Sequence, residues 1–317
     1  MTYLGLFLRL CSLQDVIHLL RQVQEHRIVN ARAPRPRFVD YLLEFEERMI
    51  NECVSIVLRD PGSRLQLVTT QTFIAKRPTY LQTQKERCER YMIWYSTNSV
   101  PILKKGEISQ IYLPKELKNL YDHHLVWDQY QAEELESQGI SNVDVKGAMV
   151  FVPRTSGVSR RSQRVKTVTI FDVTPVQPSI GYYTREMCEG NLKLMIVACE
   201  EASFQLARQI SIVLKPKRSY SNRTDGDYIT LIKSFRKIGR VEVVRPETNL
   251  YRLVAESNAV ISVPFTSPAI LAREVGVPSA FACTESKEWM IPNEHHGLPV
   301  IRSQRALADW LMEHLEA

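Results

Sequence analysis

The chain has 317 residues, 44% hydrophobic and 24% charged, with a net charge of +6 and a pI near 8.9. This is an ordinary soluble globular balance; the mild basicity suits anionic substrates or a membrane surface and lacks the concentrated patch of a nucleic-acid binder. The length exceeds what one core usually organises, so two domains are expected, and no run reaches the ~18 apolar residues of a membrane span.

In chain order, residues 2–13 (TYLGLFLRLCSL) are apolar but carry Arg9 and lack a basic leader, which reads as a packed segment and not a signal peptide. Leu13–Gln24 and Phe38–Asn51 have helical spacing, and the Pro-rich ARAPRPR between them is a connection. Cys53–Leu58 reads as a strand, 76–90 as a solvated basic stretch, and Tyr91–Tyr95 as a strand running into the polar turn Ser96–Ser99. Ile111–Leu113 is a short strand. His124–Trp127 is another, followed by a helix from Tyr130 to Gln138 that stops at Gly139. Ala148–Val152 is the next strand, and the polar run Arg154–Lys166 is the interdomain linker, giving domains at 1–157 and 158–317. The six cysteines (11, 53, 88, 188, 199 and 283) show no CxxC and no Cys/His metal spacing, which fits buried thiols in a reducing cytoplasm.

The second half alternates strand and helix. Strands fall at Thr167–Phe171, Ile210–Leu214, Val241–Val244, Val260–Val263 and Ser279–Cys283. Helices fall within Tyr183–Arg208 and at Tyr228–Ile238, Thr248–Ser257, Ala269–Val275 and Ser303–Leu315. Even alternation means βαβ units around a parallel sheet, hence an α/β fold. In such sheets ligands bind beyond the carboxyl ends of the strands.

Three strand ends carry chemistry. Asp172 follows the first strand of this half, and Lys215-Pro216-Lys217-Arg218 follows the second. Pro264-Phe265-Thr266-Ser267 leads into a helix whose first turn holds Pro268 and whose end is Gly276. Cations facing a helix N-terminus suit a phosphate, and a nearby acid can act as base or nucleophile. Each also has a plainer reading: Asp172 as an Asx-turn, the cations as a solvated loop, and Ser267 as an ordinary N-cap.

These segments resemble the bacterial surface-polysaccharide biosynthesis proteins named for their PFTS motif. The likeness is carried by Val263–Pro268 with the following Gly-Val-Pro-Ser, by Phe171–Pro175 and by Leu214–Arg218. It covers the last 150 or so residues, and 127–153 more loosely. That group is related to GT-B glycosyltransferases, two Rossmann-like domains facing across a cleft, and to retaining transferases of Kdo, an acidic eight-carbon sugar. The resemblance implies a CMP-Kdo donor held by the C-terminal domain without metal or other cofactor. Lys215 and Lys217 would meet the phosphate or sugar carboxylate, and Thr266 and Ser267 the phosphate. Pro216, Arg218, Pro264 and Phe265 belong to the same donor-binding loops, and Asp172 would face the anomeric carbon. One departure is that such enzymes open with a strand and a glycine-rich turn. Here the first 50 residues read as helical, with only Gly5 before Gly62. A shortened N-terminal domain, a fragment or a degenerate copy would each give that pattern.

For the acceptor, a lipid-linked glycan, the candidates are Ser96, Asn98, His123 and His124; their plainer reading is a surface turn and a histidine pair without a metal. The expected setting is the cytoplasm, with loose salt-sensitive contact to anionic membrane. A non-catalytic assembly partner of the same fold is the alternative. A Rossmann dehydrogenase or epimerase would need G-x-G-x-x-G after a strand, which this chain lacks.

Overall fold

The computed structural model describes residues 62, 64–69, 87–94, 103–105, 121–148, 165–175, 184–220, 224–237, 239, 241–285 and 289–316. The expected elements at 13–24, 38–51, 53–58 and 111–113, and the boundary at 157/158, lie outside these residues. The first strands are β1 (Leu65–Thr69), β2 (Cys88–Ile93) and the two-residue β3 (Leu103–Lys104). β4 (His123–Val126) leads into helix α1 (Gln129–Ser137), and β5 (Val143–Val145) follows. Strand and helix then alternate: β6 (Lys166–Phe171), α2 (Arg185–Gln205), β7 (Ile210–Lys215), α3 (Gly226–Lys237) and β8 (Val241–Val243). Next come α4 (Leu250–Glu256), β9 (Ala259–Ser262), α5 (Ser267–Glu274) and β10 (Ser279–Ala282). Two short strands, β11 (Trp289–Met290) and β12 (Glu294–His295), precede β13 (Leu298–Ile301) and α6 (Gln304–Glu316).

The chain divides into two compact units. The first lies within residues 1–94, 113–125 and 140–144; the second takes 95–112, 126–139 and 145–317. In the first, the strands run in the order β1-β2-β4-β5, with β1 and β4 both parallel to β2. The stretch expected to be solvated up to residue 90 instead enters β2. Arg90 is buried, and its guanidinium donates to both carboxylate oxygens of Asp122, at 2.9 and 2.7 Å. A two-pronged carboxylate partner is what makes a buried guanidinium tolerable. The strand expected at 148–152 is not seen at Ala148, and β5 lies just before it; its short, mostly exposed VDV run carries little hydrophobic signal.

The second unit is built on a seven-stranded sheet of order β12-β13-β10-β9-β6-β7-β8. All neighbouring pairs from β13 to β8 are parallel, and only β12 runs antiparallel, to β13. Counted from β6, the parallel strands follow the doubly wound order 3-2-1-4-5-6, whose switch point falls between β6 and β9. Alternation sorts the side chains to two faces. Ile170, Leu214 and Ile261 pack with Leu192, Met195 and Leu311 of α2 and α6. Phe171, Val213 and Val260 pack with Leu253 and Ala272 of α4 and α5. The helix starts are chemically marked: Asp128 accepts from the Gln131 amide at 2.9 Å, and Asn249 from that of Arg252 at 3.1 Å.

Candidate functional site at the switch point

The three signatures come together because of strand order. Phe171 lies level with Lys215 on β7 and with Ser262 on β9. Asp172 therefore emerges between the lysine loop and the PFTS loop, at the point where adjacent crossovers leave on opposite faces. Among the described residues this is the edge where a doubly wound sheet opens a ligand crevice.

Asp172 is at the carboxyl edge, as expected, but buried, with 6% of its surface exposed. Neither carboxyl oxygen makes a hydrogen bond of good geometry; the backbone amides that act on it are those of Lys217 and of Asp172 itself, not the Thr174 amide of the Asx-turn reading. Burial raises its pKa to about 7; the Lys217 amide and the charges on Lys215 and Lys217 pull the other way and do not win.

Lys215 is half-buried and donates from Nζ to the Pro246 carbonyl at 2.7 Å. Burial lowers its pKa, against the pull of Asp172 and Glu247. Lys217 keeps an exposed side chain overall, yet its ammonium is crowded: burial lowers its pKa first and the Arg218 charge second. Arg218 is exposed, and its amide donates to Thr174 Oγ1 at 3.2 Å, tying the lysine loop to the loop after β6. Pro216 is buried and helps line an open cavity of about 380 Å³ beyond the carboxyl ends of β7 and β8. Tyr220, Arg236, Arg245 and Pro246 also line it.

In the PFTS loop the helix start falls one residue earlier than expected. Thr266, not Ser267, is the N-cap of α5, and it makes no side-chain cap bond. Its hydroxyl donates instead to the Val263 carbonyl at 2.6 Å. Ser267 is half-buried and its hydroxyl bonds to none of the described residues. Pro264 and Phe265 are buried, and Phe265 holds a left-handed φ of 62°, which a bulky residue adopts only under strain. Its ring lies 4.8 Å from that of His295.

Of the acceptor candidates, Ser96 and Asn98 lie outside the described residues. His123 stacks on Tyr91 at 4.7 Å. His124 is buried, takes the Trp94 indole N–H on Nδ1 at 3.3 Å, and is pushed down to about 4 by burial and then by the His123 charge. Glu189, Asp225 and Asp227 bring ligand atoms within 4.8 Å of one another. Arg185 already lies against two of them, at 3.7 and 3.0 Å, and supplies positive charge there.

A second cluster was not anticipated. Asp128, the cap of α1, also accepts from Arg273 Nη2 and His296 Nδ1, each at 2.8 Å. Arg273 Nη1 donates to the His296 carbonyl as well. His296 and Gly297 form the two-residue turn between β12 and β13, with φ of 52° and 68°. A Cβ at Gly297 would fall 2.3 Å from the Tyr130 hydroxyl, so glycine is required there. The only sequence signal for this cluster was a His-His-Gly run and an aspartate before a helix.

Residues 41–311 match the family described as polysaccharide biosynthesis PFTS motif protein. No curated protein matches the sequence. Among solved structures, the chain resembles the glycosylation associate protein (Gap123) complex from Streptococcus agalactiae at TM-score 0.51 and 10% identity, over 85% of this chain and 51% of that one. It resembles TarM of S. aureus at TM-score 0.44 and 12% identity, over 76% and 46%. It resembles the wall teichoic acid polymerase TagF, soaked with CDPG, at 0.48 and 13%, over 95% and 89%. The chain thus spans about half the length of TarM and of the Gap123 chain. At these identities the likeness is one of fold, α/β and GT-B-like.

Proposed function

The chain belongs to the polysaccharide biosynthesis PFTS motif proteins, and on that premise we propose that it is a glycosyltransferase using a nucleotide-activated sugar in bacterial surface-polysaccharide assembly. The observation that carries this is the convergence of Asp172, the lysine loop and the start of α5 at one switch point. A nucleotide phosphate there meets Lys217, the Ser267 hydroxyl and the free amides of a helix start. Lys215 adds charge from the adjacent strand. The cavity behind Pro216 has room for the rest of the nucleotide, with a tyrosine ring and two guanidiniums on its walls.

Asp172 is the reacting acid in this reading. It attacks the anomeric carbon or stabilises positive charge developing on the sugar ring. For the donor we favour CMP-Kdo, because a cationic loop suits both a phosphate and a sugar carboxylate. The acceptor is a lipid-linked glycan at the inner face of the cytoplasmic membrane, approached through net positive charge. Among the described residues no helix is long and apolar enough to cross a membrane.

Thermal stabilisation by CMP, against UMP, GMP and NAD, with metal absent, is the test. Nucleotide at about 100 times its Kd adds roughly 2.7 kcal/mol. Stabilisation by CMP above the others supports the reading. No shift with any nucleotide overturns it in favour of a non-catalytic partner of the same fold.

A further inference from the structure

The cluster around Asp128 has the make-up of a proton-transfer centre. Asp128 is the N-cap of α1. Its carboxylate is held by the Gln131 amide, by Arg273 and by His296 Nδ1. A carboxylate on Nδ1 fixes the imidazole with its proton on that nitrogen and leaves Nε2 as a free base. Arg273 shares the same carboxylate at 2.8 Å. His296 Nε2 hydrogen-bonds to none of the described residues. Both histidines are buried, His295 at 5% and His296 at 4% exposed, and of the two only the His295 Nε2 is wholly enclosed without a partner.

Packing joins this cluster to the PFTS loop. His296 is a non-glycine residue in the left-handed region, and so is Phe265 of the PFTS loop. Their elements meet through His295, whose ring lies 4.8 Å from Phe265 and 4.4 Å from His296. At His296 this φ is the one that a two-residue hairpin turn requires, whereas Phe265 holds it outside such a turn. A purely structural tie between α1 and α5 needs only the Asp128–Arg273 pair.

We propose that His296, oriented by Asp128, is the general base of the transfer reaction, taking the proton of the hydroxyl that attacks the donor. This rests on the transferase reading above. As the hydroxyl oxygen forms its bond to the anomeric carbon, the proton passes to His296 Nε2. The bond from the outgoing group to that carbon breaks, and its electron pair leaves with that group. Asp128 stabilises the imidazolium until it returns the proton to water. Asp172 serves the sugar carbon and His296 the incoming oxygen, so the two groups have separate tasks.

The test uses His296→Gly, because glycine takes a left-handed φ without strain and deletes only the imidazole. The readout is nucleotide release from CMP-Kdo and from UDP-GlcNAc, with water as the incoming hydroxyl. We expect release to fall by 100-fold or more, the order of general-base effects, while the nucleotide-induced melting shift matches wild type. Imidazoles of graded basicity added to the buffer should restore release, more so as basicity rises. His296→Asn, which also tolerates this φ, should lose release without any rescue beyond its own baseline. Release at the wild-type rate in either variant overturns the proposal, as does rescue that ignores basicity, since that is cavity filling. A wild type that neither shifts with nucleotide nor releases any overturns the transferase reading and this one with it. A normal nucleotide shift with unimpaired His296→Gly overturns this one alone.

Discussion

Two buried aspartates in the second unit end up in opposite states. Asp172 and Asp128 each follow a strand end and keep no more than 8% of their surface exposed. Asp172 makes no hydrogen bond of good geometry, and burial lifts its pKa to about 7 against the pull of the Lys217 amide. Burial pushes Asp128 up as well, but His296, the Gln131 amide and Arg273 outweigh it and bring the pKa to about 2. Depth therefore does not decide charge; donors do. Asp128 is held as a permanent carboxylate that orients others. Asp172 can change protonation near neutrality, which is what a reacting group requires.

The largest expected effect separates the two roles. Asp172→Asn keeps size and shape and removes the charge that can form. Transfer from CMP-Kdo to a lipid-linked or synthetic acceptor should drop by about 10³ or more, as for a lost nucleophile or electrostatic partner. CMP binding and fold should persist. An Asp172→Asn protein that retains most of its transfer rate would remove this residue from the chemistry.

Asp128→Ala should do the reverse, damaging the fold directly. It takes the acceptor from three donors at once, although Arg273 keeps the Glu274 carboxylate at 2.7 Å. Leaving buried donors unsatisfied costs about 1–3 kcal/mol. The urea midpoint should fall accordingly, whereas Asp172→Asn should not lower it. A loss below about 1 kcal/mol would mean that water replaces the carboxylate at little cost.

How much of this contrast could be read in the sequence differs between the two sites. Asp172, the lysine loop and Thr266-Ser267 each follow a β-branched run, so strand ends and helix starts marked them. Parallel alternation then placed all three on one edge. The sequence could not show that Asp172 is shut in, because burial depends on the loops folded over it. Nor could it show that Thr266 spends its hydroxyl on Val263, a bond fixed by the turn geometry. The Asp128 cluster joins residues 145 and 168 positions apart. No local periodicity reports such a contact, and the strands of two and four residues around His296 are too short to leave a pattern. In the first unit Arg90 misled for a related reason: a charged run ends in a strand whose partner, Asp122, is 32 residues away.

The two aspartates should also diverge as pH changes. For Asp128 the folded pKa is depressed, so its stabilisation is present above the unfolded value of 3.8 and is lost as pH falls towards about 2. For Asp172 the folded pKa is raised. The unfolded chain ionises from about 3.8 upward while the folded one holds its proton until about 7. Stability therefore falls between those values and is level above them. Asp172→Asn removes that loss, so relative to wild type it should gain stability from pH 4 to pH 7, on the order of 2 kcal/mol after local relaxation. Urea titrations at pH 4, 5.5, 7 and 8 check this. A constant difference across that range would mean that Asp172 is ionised throughout.

The smallest effect belongs to the two hydroxyls of the PFTS loop, and it tests whether the switch point is a phosphate site. Thr266 and Ser267 are adjacent and chemically alike, yet differently committed. The Thr266 proton is used on the Val263 carbonyl, inside a buried turn. The Ser267 hydroxyl stands at the first residue of α5 with its proton unspent among the described residues. Thr266→Ala should therefore cost stability, about 1 kcal/mol for one internal hydrogen bond, and affect CMP only indirectly. Ser267→Ala should leave the melting temperature nearly unchanged and weaken CMP several-fold, the size of one hydrogen bond to a charged oxygen beside amides that continue to bind. Calorimetric titration of both variants with CMP, beside their unfolding curves, gives the split. If Ser267→Ala binds CMP as wild type does while Thr266→Ala loses it without unfolding, the phosphate sits on the strand side of the loop and not at the helix start. If neither changes CMP affinity, the anion is held by Lys215 and Lys217 alone, and the cavity behind Pro216 becomes the place to look for the rest of the nucleotide.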